Sequence, residues 1–447
     1  MKLFSSDDKY KLYHGSMLEL SDVIEPKSID SIVTDPPYEL NFMGKGWDRS
    51  GIAFQKETWR KCYEVLKTGG YLLAFGGSRT FHRIAVAIED RGFEIRDVIM
   101  WLYGSGFPKS LNIGLAIDKK NGVDNRTGNM RTDGAKSIYN INNRELFMKS
   151  KYEERIARNE WSGWGTALKP SYEPIIVARK PVEGSVVDNV INYGVGGINI
   201  DECRVDAETN RRMCGTTEKS GETSFILGAR EETYTNKGRF PSNTILTYDE
   251  TDEQEVCGGF PDTEGSKTGN ITQNPNNDIR FNASKQITHY GFNDSGSASR
   301  YFYCAKASQK DRDDGLFEFS VKTSGQLTER KEGSDGITAF TGSRTPKRNN
   351  HPTVKPTELM QYLVRLVTPS GGTVLDPFNG SGSTGKAVMY ENKERGSKYK
   401  YIGIDLSDEY LAISKARIEY AEQDNVIQTT KNGDIFEQKS LFEGLDL

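Results

Sequence analysis

Two short strings, each set directly after an apolar run, constrain this chain more than any other feature. Thr34-Asp35-Pro36-Pro37-Tyr38 follows the β-rich run Ser28–Thr34, and Asp376-Pro377-Phe378-Asn379-Gly380-Ser381-Gly382 follows Gly372–Asp376. Around each string the sequence alternates between periods of two and 3.6. Near the first, Thr58–Leu66 and Phe81–Arg91 have helical spacing, and Tyr71–Phe75 and Phe93–Leu102 read as strands. Near the second, Thr357–Val367 is an amphipathic helix, Thr384–Tyr390 opens another, and Tyr399–Asp405 is a strand. Ser407–Ala421 is a helix with Ser407 at its N-cap. Continuous apolar runs such as YLLAF suit a parallel sheet covered on both faces. The expectation is a doubly wound α/β sheet whose two halves are far apart in sequence.

Between the halves the grammar is lost. Residues 111–350 are rich in Asn, Ser, Thr, Gly and charge, with brief strand candidates at Pro174–Ala178 and Asn243–Leu246, and Gly265–Arg300 reads as polar loop. An excursion of this length is far beyond a connecting loop and reads as an inserted recognition region. The expected division is 1–110 and 351–425 for the two halves of the core, 111–350 for the insertion, and 426–447 for a tail.

Apolar residues are 35% of the 447, and no run approaches the ~18 residues of a membrane span. A soluble, cytoplasmic protein is expected, with no membrane partner. The formal net charge of −4 argues against a nucleic-acid partner only when averaged over the chain. Phe107–Lys180 carries 14 Lys/Arg and 8 Asp/Glu, a net +6, leaving −10 elsewhere. That basic stretch ends in Trp161, Trp164 and Tyr172 and suits contacts with a phosphate backbone. The five cysteines are scattered without CxxC spacing, so they read as reduced thiols, and no metal site is assigned.

The glycine-rich string sits where an open α/β sheet binds a nucleotide-like ligand. Glycines let the backbone approach that ligand. Asp405, closing the next strand, is placed to hold both hydroxyls of a ribose. The string also matches most of a phosphate loop ending in Gly385-Lys386, but Ala387 follows where a hydroxyl for Mg²⁺ is needed. Asp376 would repel a triphosphate and suit an amino acid's ammonium group, such as that of S-adenosylmethionine.

The Asp-Pro-Pro-Tyr string offers rigid acceptors beside an aromatic face. Two prolines fix the backbone, leaving the Asp35 carboxylate and the Pro36 carbonyl as acceptors. An exocyclic amino group of a nucleobase has two donors and a flat ring that Tyr38 could stack on once the base is extruded. Two acceptors pulling on its hydrogens would aim the nitrogen lone pair at a methyl donor.

Asp-Pro-Pro-Tyr first, the glycine string last and a long variable region between resemble the β-group amino DNA methyltransferases. His351-Pro-Thr-Val-Lys-Pro356 resembles that family's remaining cofactor motif. Gly104–Ser110 (GSGFPKS), Leu168–Ile175, Gly238–Pro241 (GRFP) and Tyr301–Lys306 resemble phage and prophage members. The resemblance implies a Rossmann-like, seven-stranded methyltransferase sheet, S-adenosylmethionine as donor, base flipping and double-stranded DNA as substrate. Asp35, Pro36, Pro37 and Tyr38 would grip the target. Asp376, Phe378, Asn379, Gly380, Ser381 and Gly382 would surround the cofactor, Asp405 would bind its ribose, and Lys355 and Thr357 its methionine end. Where the family has Gly-Asp near the start, this chain has Gly15-Ser16, leaving Ser16 one bond to offer the adenine. Aspartate opening the catalytic string favours adenine N6. Cytosine N4 is the alternative, and a phosphate-loop NTPase or an inactive DNA-binding protein are more distant ones.

Near the carboxyl end, Gln438, Leu441 and Phe442 resemble the QxxLF peptide by which bacterial DNA enzymes bind the sliding clamp. A monomer or homodimer is expected.

Overall fold

The computed structural model describes residues 1–40, 46–103, 110–123, 157–205, 238–248, 260–263, 269–272, 286–289, 296–306, 309–321 and 348–423. Its strands are β1 (Lys2–Ser6), β2 (Tyr10–His14), β3 (Ile29–Thr34), β4 (Leu66–Phe75), β5 (Glu94–Leu102), β6 (Tyr172–Arg179) and β7 (Thr244–Tyr248). They continue with β8 (Asp262–Thr263), β9 (Gly269–Thr272), β10 (Gln286–His289), β11 (Gly296–Ser297), β12 (Tyr303–Lys306), β13 (Thr373–Asp376) and β14 (Lys400–Asp405). The helices are α1 (Lys56–Val65), α2 (Phe81–Glu89), α3 (Ile113–Lys120), α4 (Val186–Tyr193), α5 (Gln309–Asp313), α6 (Thr357–Val367), α7 (Ser383–Arg395) and α8 (Asp408–Glu422).

Ten strands form one sheet in the order β1-β2-β14-β13-β3-β4-β6-β5-β7-β12. From β2 to β4 neighbours run parallel, and β6 is antiparallel to both β4 and β5. The seven strands from β2 to β5 match the expected number. The structure adds β1, paired antiparallel to β2 at one edge, and β7 and β12, parallel to β5 and β7 respectively, at the other.

Strand alternation divides the interior into two cores. Val33, Leu73, Phe75 and Val374 join α6, α7 and α8 on one face, while Ile32, Leu72, Ala74 and Leu375 join α1 and α2 on the other. The sheet is thus wound on both faces. Local chemistry sets the helix ends. Ser407 Oγ accepts the Tyr410 N–H at 3.3 Å, as its N-cap position demands, and Gly396 closes α7 at φ +66°.

Three strands of the sheet, β6, β7 and β12, come from the stretch 111–350, so the sheet does not follow the expected boundaries at 110 and 351. Of the brief strand candidates there, Pro174–Ala178 lies within β6 and Asn243–Leu246 overlaps the start of β7. The fold separates instead into one unit of 1–104 with 172–447 and a second of 105–171. In the second, Asn112 caps α3 by accepting the Leu115 N–H at 3.0 Å, and Asp118 takes the Arg158 N–H at 2.7 Å. No helix among the described residues is long and apolar enough to cross a membrane.

Candidate active site

Parallel strands deliver their carboxyl ends to one edge of the sheet. Asp35 follows β3, Asp376 ends β13, Asp405 ends β14, and Gly15-Ser16 follows β2. A cavity of about 280 Å³ opens there. It is lined by Ser16, Asp35, Pro36, Pro37, Tyr38, Lys355, Asp376, Phe378, Asn379, Gly380, Ser381 and Asp405. Twelve of the fourteen residues singled out from sequence therefore meet in one place, although the two strings lie at opposite ends of the chain.

The glycine turn is internally braced. Asp376 accepts the Thr34 hydroxyl at 2.6 Å and the Thr384 hydroxyl at 2.7 Å, and burial pushes its pKa up to about 6 against those bonds. Asp405 accepts the Gly380 N–H at 2.7 Å and the Ser407 N–H at 2.9 Å, and burial likewise raises it to about 6. Asn379 Oδ1 takes the hydroxyls of Tyr401 (2.8 Å) and Ser414 (3.1 Å). Asp376 thus spends its oxygens on two hydroxyls rather than presenting a bare anion to an ammonium group. Ser16 lines the cavity while its Oγ caps the short 3-10 helix Met17–Asp22 by accepting the Leu18 N–H at 3.3 Å.

Two expected cofactor residues do not line the cavity. Thr357 opens α6 and directs its N–H and hydroxyl to Asp311, at 2.8 and 2.5 Å. Gly382, at φ +73°, lies where a Cβ would come 2.3 Å from Ser414 Oγ, so it lets α8 approach the turn. The phosphate-loop alternative fails on similar grounds. The Lys386 ammonium is buried in ion pairs with Asp311 (2.7 Å) and Asp314 (3.2 Å), outside the cavity.

The Asp-Pro-Pro-Tyr turn is built differently. Asp35 Oδ2 is 2.5 Å from the Lys355 ammonium, while Oδ1 is buried with no hydrogen-bond partner among the described residues. Burial raises the Asp35 pKa, Lys355 opposes that, and Glu173 adds to it. Burial works against the Lys355 charge, but Asp35 and Glu173 outweigh it and keep its pKa above the ordinary value. The Tyr38 hydroxyl donates to Glu173 Oε2 at 2.8 Å, and its carbonyl accepts from Thr80 at 2.8 Å. Burial, then the charges of Asp35 and Glu173, hold the phenol well above its usual range, so it stays a donor. Lys355, expected at the cofactor's methionine end, is thus paired with the Asp-Pro-Pro-Tyr turn.

Among the further lining residues, Glu173, Asp48 and His351 carry polar chemistry to which the sequence assigns no role. Glu173 lies in a string noted only for its resemblance. Asp48 fixes the chain beyond Tyr38 by accepting the N–H groups of Glu39 (2.8 Å) and Leu40 (3.1 Å). His351 packs against Gly380 and edge-on to Tyr410, 4.7 Å between ring centres. Burial, helped by Lys355, lowers its pKa to about 3, so the ring is neutral. Only the position of His351 in the third motif could have drawn attention to it. Gln438, Leu441 and Phe442 lie outside the described residues.

Comparison with known proteins agrees with this geometry. The family model described as DNA methylase, of the N6/N4 methyltransferase type, matches residues 29–416. The chain is 25% identical over 147 residues to the type II methyltransferase M.HindIII of Haemophilus influenzae, covering 32% of this chain and 37% of that one. Over 103 residues it is 36% identical to the type II methyltransferase M2.DpnII of Streptococcus pneumoniae, covering 22% and 36%. Over 99 residues it is 30% identical to the DNA adenine methyltransferase YhdJ of Escherichia coli, covering 21% and 32%. The matches span about a third of the length of these relatives. With the family model spanning both turns and all that lies between them, this chain belongs to the N6/N4 DNA methylase family.

Proposed function

We propose that this protein is a sequence-specific DNA methyltransferase that transfers a methyl group from S-adenosylmethionine to adenine N6 of a flipped base. One observation carries the reading. A buried carboxylate oxygen, Asp35 Oδ1, stands without a partner among the described residues, in a cavity that also contains the braced glycine turn. An orphaned buried acceptor costs about 1–3 kcal/mol, and a donor arriving with the substrate recovers it.

The residues present fit the cofactor. Asp405 ends the strand beside the glycine turn, Phe378 offers a flat apolar face, and Ser16 stands across the same cavity. When bound there, S-adenosylmethionine supplies an electrophilic methyl group. The chain's own work is to bind, orient and exclude water. Tyr38, anchored through its hydroxyl, presents its ring to the extruded base. Asp35 Oδ1 accepts one hydrogen of the exocyclic amine and the Pro36 carbonyl the other, which turns the nitrogen lone pair outward. Cys62 and Cys203 take no part. Both are buried, with thiols pushed up to about 12 by desolvation. Recognition of DNA is assigned to the separate unit of 105–171, which makes up most of the stretch Phe107–Lys180 with its +6 charge. There Trp161 and Trp164, 40% and 58% exposed and 5.2 Å apart edge to face, offer a stacking surface.

Incubation with labelled S-adenosylmethionine and duplex DNA, followed by nucleoside analysis, tests the proposal. N6-methyladenine is the expected product. N4-methylcytosine would reassign the base, and no label in DNA would overturn the activity.

A further inference from the structure

Glu173 sits where the sheet changes direction. β6 runs antiparallel between β4 and β5, so its first residues reach the edge to which the parallel strands deliver their carboxyl ends. Glu173 pairs in register with Trp101, and the Pro174 carbonyl beside it takes the Gly76 N–H at 3.0 Å. From that fixed backbone the carboxylate accepts the Tyr38 hydroxyl at 2.8 Å and lies 3.5 Å from the Lys355 ammonium. Lys355 is confined between two carboxylates and two rings, 5.3 Å from the centre of Tyr38 and 5.0 Å from that of Phe75. One ammonium therefore serves two acids, and the second acid also holds the ring on which the target base would stack.

We propose that Glu173 is a positioning residue for methyl transfer, fixing the Tyr38 ring through its hydroxyl and, by sharing Lys355, setting how firmly Asp35 is held. The inference rests on the methyl-transfer reading of the cavity. A merely structural Glu173 would need only to accept the phenol. The competition for Lys355 is a separate consequence of its charge. The groups facing Asp35 are Lys355 from the segment before α6, Glu173 from β6, Tyr38 from its own turn and Asp376 from the end of β13. Tyr103 and His351 face Glu173 and Lys355 in turn. Among these, Glu173 and Asp376 disfavour the ionised form of Asp35, while Lys355 and the Tyr38 hydroxyl favour it. Removing the Glu173 charge leaves Lys355 to Asp35 alone, so Asp35 stays ionised to lower pH.

The test is single-turnover methyl transfer to duplex DNA as a function of pH, with S-adenosylmethionine affinity measured alongside on the full chain. Glu173→Gln keeps an acceptor for Tyr38 and removes the charge. Its acid limb is expected to move to lower pH by about half a unit or more, with cofactor affinity unchanged. Glu173→Ala and Tyr38→Phe are each expected to slow transfer by about tenfold, and the double variant no more than the slower single one. An unshifted acid limb in Glu173→Gln, or single effects that multiply, would overturn the inference. Should Glu173→Ala not fold, the near-isosteric Gln variant decides alone. A wild-type chain that transfers no methyl group removes the underlying reading. A wild type that does, beside Glu173 variants indistinguishable from it, removes this inference alone.

Discussion

The two turns that meet in the cavity have opposite electrostatic designs. Around the glycine turn the polar side chains are paired from within. Asp376 is held by two hydroxyls, Asp405 by two backbone N–H groups and Asn379 by two further hydroxyls. In the Asp-Pro-Pro-Tyr turn, Asp35 has one oxygen on Lys355 and the other on none of the described residues. In the first turn these side chains are already paired within the protein. The second is left one bond short, which is what a site must be if its tightest interaction is to form with a reacting group. On the proposed function, a cradle and a grip are made from the same residue type, aspartate at a strand end, by what surrounds it.

The largest expected effect breaks the grip alone. Asp35→Ala should lower methyl transfer by about 10³-fold or more while S-adenosylmethionine binding, followed by calorimetry, stays within a few-fold. Equal loss of both would mean that the two turns do not divide the work. Next, Lys355→Ala leaves Asp35 and Glu173 facing each other without a cation. Urea unfolding should show a loss of about 3 kcal/mol. Any remaining activity should have its acid limb moved to higher pH, opposite to Glu173→Gln.

A smaller effect tests the cradle's packing. Gly382→Ala must adopt φ +73° and push a Cβ to 2.3 Å from Ser414, so a loss of about 2 kcal/mol is expected. Gly371→Ala, at φ +76° with open space around it, should lose only about 1 kcal/mol. Equal losses would show that the approach of α8 is not what the glycine protects.

The subtlest effect is in pH. Asp376 has a folded-state pKa of about 6 against an ordinary 3.8. As pH rises between these values the unfolded chain gives up its proton first, so this group stabilises the fold below about pH 4 and that contribution is lost by about pH 6. Asp376→Asn removes this term. Its stability deficit relative to wild type, from urea titrations, should therefore be larger at about pH 4.5 than at about pH 6.5. A constant deficit would mean that Asp376 is not buried as an acid.

What could be read from the sequence was whatever is decided locally. The cap at Ser407, the helix Thr357–Val367 and the two turns each follow from a few adjacent residues. What escaped depends on pairing across hundreds of positions. Glu173 enters the site only because β6 inserts antiparallel between β4 and β5, and nothing near Glu173 announces that register. The strands β6, β7 and β12 stand among polar neighbours, so in sequence only brief strand candidates mark where the excursion rejoins the sheet. Thr357, Gly382 and Lys386 belong to motifs that suggest ligands, yet they face Asp311, Ser414 and Asp314. A motif names the residues of a turn, but packing decides which of them point outward.

The insertion of β13 between β14 and β3 has a consequence for how the protein is made. Thr34 and Asp376 are hydrogen-bonded across 342 positions, so the middle of the sheet cannot close until the chain through Asp376 has left the ribosome. Until then the edge of β3 that will meet β13 has no strand to pair with. High contact order of this kind slows folding and lengthens the exposure of an apolar edge. Yield of soluble protein should therefore depend on synthesis temperature and chaperone supply, and chains truncated before residue 373 should be recovered mainly as aggregate.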